Sequence, residues 1–156
     1  MKKKITIKDQ NGATVVEFAL VLPLLVVFIF GIVEFSLLSY NKAMITNASR
    51  EGARNGVIFR GDFKLDTQAA LNNRVTQVVN SYCDNHLISF DANKSPTVLV
   101  DGDGNSNSDL AESGEDLTVT VTYDYQFLIL PNLMQLLKGS LTHKIQLEAK
   151  TVMRFE

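Results

Sequence analysis

An α+β fold is predicted for this chain of 156 residues: a long N-terminal transmembrane helix continuing into a small domain with a second helix and a mainly antiparallel β-sheet. Three observations predict it. Phe18 to Val33 is an uncharged apolar run, FALVLPLLVVFIFGIV. Apolar residues then recur at helical spacing at Leu71, Val75, Val78, Val79 and Tyr82. From Leu117 apolar and polar residues alternate with period two, the pattern of a half-buried strand.

The first helix is argued from length. The apolar run alone would span roughly 24 Å, and Ala13 to Leu38 roughly 39 Å, more than the ~30 Å of a hydrocarbon core. Before it stands a leader, Met1 to Gly12, with Lys2, Lys3, Lys4 and Lys8 against Asp9 alone. Lysines flanking one end of a span favour the cytoplasmic side. The expected topology is a single pass, with the N-terminus cytoplasmic and residues 58–156 forming an extracytoplasmic domain. Pro23 lies inside the span and predicts a kink near Ala19 to Pro23.

Beyond the span there is no Pro, and one Gly, between Leu38 and Asn55. The helix is therefore expected to continue to about Asn55, with residues 39–57 as its extension. Ala48, Gly52 and Gly56 recur every four residues, a stripe of small side chains that lets the sheet approach closely. Arg50, Glu51 and Arg54 read as a solvated face, and Gly56 to Lys64 as a loop.

Glu17 sits at the start of this apolar helix, where a carboxylate needs either water or a partner. A cleavable secretory signal would have a shorter apolar core and a small-x-small site, which Ser36 to Tyr40 does not offer. A plain signal anchor accounts for the apolar run but gives Gly12 and Glu17 no role. Gly12, Ala13, Glu17 and Phe18 instead resemble the class III signal of type IV pilins. GATVVEFALVLPLL, then Gly31, Glu34-Phe35 and Asn47-Ala48-Ser49-Arg50-Glu51-Gly52-Ala53-Arg54, is similar to the TadE-like minor pilins (pseudopilins) of the tight-adherence, or Flp, pilus system. The resemblance covers the first 57 residues closely and the last 40 loosely. It implies cleavage by a prepilin peptidase between Gly12 and Ala13, with Glu17 and Phe18 serving assembly. It also implies other pilin or pseudopilin subunits and an inner-membrane assembly platform as partners, and a pilus used in surface adhesion. The exposed amine of Ala13 would then be a cation for Glu17, on the same or a neighbouring subunit.

The second helix is expected from a cap at Asp66 or Thr67 to about Tyr82. Cys83, the single cysteine, forms no intramolecular disulfide and reads as a buried small hydrophobe. His86 and His143 are too far apart in sequence to suggest a zinc site.

After a short strand at Thr97 to Val100 comes an acidic segment. Residues 91–116 hold seven acids and one Lys. Asp101, Asp103, Asn105, Asn107, Asp109 and Glu112 approximate the spacing of an EF-hand Ca²⁺ loop. Ser106 stands where such a loop requires Gly, Ser108 where an apolar residue is usual, and the flanks read as strands. A solvated loop is the better reading. No cofactor is expected, with Ca²⁺ the one candidate.

Leu117 to Phe127 and Leu141 to Phe155 are the remaining strands, the latter expected to turn Ile145, Leu147, Ala149 and Met153 inward. An apolar connector, Phe127 to Leu137, joins them.

Net charge is −2 and becomes −5 without the leader, which removes four Lys and one Asp from 15 basic and 17 acidic residues. An acidic domain argues against nucleic acid as a partner. No nucleophile–base set, phosphate-binding glycine loop or metal-spaced Cys/His group is present, so no enzyme is expected. The competing expectation is a single-pass anchored binding or sensor domain that uses the acidic loop.

Overall fold

The computed structural model describes residues 10–62, 68–90, 95–102, 114–128 and 144–155. Its elements, in chain order, are α1 (Gln10–Asp62), α2 (Gln68–His86), β1 (Thr97–Asp101), β2 (Asp116–Gln126) and β3 (Lys144–Arg154). The strands form one antiparallel sheet in the order β1-β2-β3, and both helices pack on one face of it. The architecture is α+β, as the sequence patterns require.

α1 is a single helix of 53 residues that passes through Pro23 without interruption. Proline removes one backbone hydrogen bond there, and the helix resumes on either side. The helix runs past the expected end near Asn55 and past the expected loop start at Gly56. Gly56 is not a terminator but a point of close approach. A Cβ built on it would lie 2.5 Å from Leu117 Cδ2 and 3.1 Å from Val75 Cγ2. Gly52 is as tight: its Cβ would meet Val79 Cγ2 at 2.6 Å. The small-residue stripe therefore admits α2 as well as the sheet.

α2 ends one turn later than expected, where the Leu87 N–H donates to Cys83 O. Asp66 and Thr67 lie outside the described residues. Leu71, Val75, Val79 and Cys83 form its buried edge, spaced four apart. Val78 and Tyr82 are only half-buried.

Every second residue of β2 from Leu117 to Tyr125 is buried, and these side chains meet Ile45, Ala48 and Ala53 of α1 and the buried edge of α2 in one core. β2 pairs with β3 from Asp116↔Arg154 to Gln126↔Lys144. Gly114, at φ +93°, leads into β2, and its N–H donates to Phe155 O, closing the far end of that ladder. In β3, Leu147 and Ala149 turn inward, as does Phe155 just after it, whereas Met153 is half-buried and Ile145 is 40% exposed. Ile145 opens an edge strand at the corner of the sheet, paired with Tyr125 on one side only.

β2 runs antiparallel to α1: Leu117 lies against Gly56, and Tyr125 reaches Glu34. The domain consequently covers α1 only from Glu34 onward. Large apolar side chains from Val15 to Val33 stay exposed.

Candidate functional site

The features that distinguish this molecule from an ordinary small domain lie along α1, and its two halves differ in chemistry. The N-terminal half carries Gly12, Ala13, Glu17 and Phe18, the residues expected from the sequence to serve processing and assembly. Gly12 and Ala13 are exposed near the helix start, among the first turns whose N–H groups lack intrahelical partners and fray most easily. Glu17 stands four residues after Ala13, so both lie on one face about 6 Å apart. A free amine on Ala13 would be within reach of the Glu17 carboxylate on the same helix. Glu17 is exposed, and Phe18 is exposed beside it. Among the described residues one helix is long and apolar enough to cross a membrane, and no residue of its most apolar stretch is buried in the domain.

The second half of α1 is held to the domain by polar side chains buried at its inner face. Glu34 is 1% exposed, and its Oε1 accepts a hydrogen bond from the Leu128 N–H at 2.6 Å and from the Tyr125 hydroxyl at 3.2 Å. The carboxylate thus caps the chain where it leaves β2. The Tyr125 ring also packs edge-on against Phe127, with centroids 5.5 Å apart. Burial, and then the neighbouring Glu34 charge, push the Tyr125 hydroxyl up to about 12.

Two turns further along, Asn41 clamps the end of α2. Its Nδ2 donates to Ile88 O at 2.8 Å, while its Oδ1 accepts from the Ile88 N–H at 3.0 Å. Lys42 donates from Nζ to Glu148 O on β3. Ser49, also buried, shares a hydrogen bond of 2.7 Å with the Thr151 hydroxyl on β3. Together these polar groups answer three chain segments: Glu34 the end of β2, Asn41 the end of α2, and Lys42 and Ser49 the strand β3. A buried amide or carboxylate without such partners would cost about 1–3 kcal/mol, so these pairings fix where along α1 the domain sits.

Sequence reasoning included Glu34 and Ser49 only as parts of a family pattern and passed over Asn41. A signal was present. Glu34, Asn41, Ile45, Ala48 and Gly52 follow one another at three-, four- and seven-residue steps, a single face continuing the small-residue stripe.

The remaining candidates are less organised. Glu51, read as solvated, accepts from Asn55 Nδ2 at 2.8 Å and lines a polar groove with Arg74, Tyr82 and His86. Tyr82 and His86 stack there with centroids 4.4 Å apart. Cys83 is buried in the core and free; burial and the nearby Asp84 raise its thiol to about 11, so it stays protonated and inert. Among the described residues no group of His, Cys, Asp or Glu is arranged to hold a metal. Of the expected acidic loop, Asp101 ends β1 opposite Thr118. Asp103, Asn105, Asn107, Asp109 and Glu112 lie outside the described residues, as does all of the connector after Leu128.

Residues 12–54 match a family model described as TadE-like protein. The match begins at Gly12 and covers both halves of α1 as far as Arg54, including Glu17, Glu34, Asn41 and Ser49. It does not extend to the C-terminal strand, where the looser resemblance lay. No curated protein and no solved structure matches the chain.

Proposed function

We propose that this chain, with a TadE-like segment at residues 12–54, is a minor pilin that takes part in assembling a Tad (Flp) type IVb pilus. Residues 1–12 are its leader, cut by a prepilin peptidase between Gly12 and Ala13. The apolar helix that follows is held in the cytoplasmic membrane, with the lysine-rich end inside and the α+β domain outside. Its work is structural. The new amine of Ala13 neutralises Glu17, on the same or an adjacent helix, and that pairing sets the axial register between subunits. A lone carboxylate is costly in an apolar bundle and a paired one is not, so only correctly staggered helices pack. The subunits it meets are other pilins or pseudopilins, delivered by an inner-membrane platform.

The observation that carries this reading is α1 itself. It is one unbroken helix whose second half forms the wall of a domain and whose first half protrudes, apolar on all sides. A helix of that kind is built to be exchanged between two apolar surroundings, a bilayer and a bundle of its own kind.

The test is genetic. Removing the coding sequence from cells that make the pilus should abolish or sharply reduce surface filaments, and the wild-type chain should restore them. Unchanged filament number and adhesion without the chain would contradict the assignment.

A further inference from the structure

Four separate segments bring exposed apolar side chains to the end of the domain at which α1 emerges. Asn41 holds Ile88 by two hydrogen bonds, and Phe90 follows two residues later; they are 39% and 52% exposed. Glu34 holds the N–H of Leu128, whose side chain is 42% exposed. Ile145 pairs with Tyr125, itself bonded to Glu34, and is 40% exposed. On α1, Phe35 is 70% exposed between these segments and the bare helix. The opposite end of the domain, around Gly114, Asp116 and Arg154, carries an exposed ion pair of 3.2 Å, with Val152 and Ile58 as separate exposed apolar side chains near it.

The position of this apolar end along the helix is set by length. Ala13 to Val33 is 21 residues, roughly 31 Å of helix, which matches the ~30 Å of a hydrocarbon core. Glu34, the first residue the domain covers, therefore falls at the outer boundary of that core. Phe35 and Leu128 lie at its level. Ile88 and Ile145 stand within about two turns above it, a height of roughly 10 Å that overlaps the headgroup layer and is lowered on one side by an ordinary helix tilt of about 20°.

We infer that Ile88, Phe90, Leu128 and Ile145 form a membrane-seating surface, by which the domain rests in the outer interfacial layer of the bilayer that its own helix crosses. The inference rests on the proposed span. Its occupant is lipid because the apolar surface is continuous with the lipid-facing helix and meets it at the depth where the hydrocarbon ends. Exposed apolar side chains gathered at one end of a domain need a cover, and aromatic and aliphatic groups at that depth partition favourably into the interface. The buried bonds of Glu34 and Asn41 hold Leu128 and Ile88 at fixed heights, so the seat is rigid. It keeps the domain upright and in a single register against the membrane until the subunit is extracted.

The chain has no Trp, so single substitutions report depth directly. Full-length Phe90→Trp, Ile145→Trp, Phe28→Trp and Leu99→Trp variants would be placed singly in phosphatidylcholine vesicles, with bromine on the acyl chains either near the headgroup or near the bilayer centre. Leu99 is the dry control: it lies opposite Thr120, beside Val119 at the level of Gly52, about 27 Å beyond Glu34 along the helix. Phe28→Trp should be quenched by centre-labelled lipid, Phe90→Trp and Ile145→Trp by headgroup-proximal label, and Leu99→Trp by neither. Quenching of Phe28→Trp with none at residues 90 and 145 would overturn the seat and leave the span standing. No quenching of Phe28→Trp would overturn the span and the seat with it. A blue shift at residues 90 and 145 that grows only with protein density, without quenching, would assign the surface to a second copy instead and so overturn it as well.

Discussion

Glu34 shows how one residue can decide the geometry of a chain. An acidic residue at the edge of an apolar run looks like a fault in a membrane span, yet it is the acceptor that ties the end of β2 to α1. Glu34→Ala leaves a buried hydroxyl and a backbone N–H without an acceptor and should cost about 1–3 kcal/mol, read as a lower urea midpoint in detergent micelles. Glu34→Gln keeps one acceptor and should lose less. Equal losses in the two variants would mean that the bonds to Tyr125 and Leu128 contribute little. Two buried acids also give the domain a defined alkaline limit. The Cys83 thiol rises from 9.0 to about 11 and the Tyr125 hydroxyl from 10.0 to about 12. Both groups ionise more readily in the unfolded chain. Their contribution is full below about pH 9 and is lost as pH rises through the folded values. The urea midpoint should accordingly fall between pH 9 and 12, and Cys83→Ala should flatten the first part of that fall. Burial of Cys83 was legible, because it continues the four-residue spacing of Leu71, Val75 and Val79. The partners of Glu34, Asn41 and Ser49 were not, because each bond joins positions more than 45 residues apart and no local pattern encodes such pairs.

Among the elements, α1 repays most thought. Its apolar half, its continuation past Leu38 and its stripe of small residues were all visible in order. Its end was misjudged, because Gly56 was read in two ways at once: with Gly52 as part of the packing stripe, and as the start of a loop. Both are packing glycines, and only the three-dimensional approach of Leu117 and Val75 tells them from a terminator. Gly56→Ala should destabilise the domain. Overpacking costs about 1–3 kcal/mol, whereas alanine in place of glycine in a helix returns about 1 kcal/mol. Gly31→Ala is the contrast: nothing lies within 4 Å of the added methyl, so domain stability should not fall. Denaturation midpoints of the two variants compare the terms directly, and a loss at Gly31 equal to that at Gly56 would show that crowding is not the cause. The strands were legible from alternation alone, down to the buried positions of β2. Ile145 broke the pattern because period two names a face and not whether anything covers it.

At the scale of the whole molecule, the protein is a lever of two unlike arms. One arm is an apolar rod as long as a bilayer is thick. The other is the same helix walled into an acidic α+β domain that begins where the rod ends. The polar stripe from Glu34 to Ser49 joins them, so the domain cannot slide along the rod without breaking buried bonds. In the proposed pilin role, a subunit made this way would carry its register with it from the membrane into assembly. Glu17→Ala should leave cleavage intact while reducing surface filaments, counted by electron microscopy; normal numbers would remove Glu17 from the account of register. The two-part plan was readable from hydropathy and charge. The seat between the parts was not, since its residues come from segments far apart in sequence and are brought together only by the sheet and by the clamps on Leu128 and Ile88. The central claim is that Gly12 and Ala13 mark the boundary between a discarded leader and a working helix. Intact-mass and N-terminal analysis of the membrane-bound protein tests it most directly. A chain beginning at Ala13, in cells with an active prepilin peptidase, is the expected result, and a chain still beginning at Met1 in those cells would contradict it.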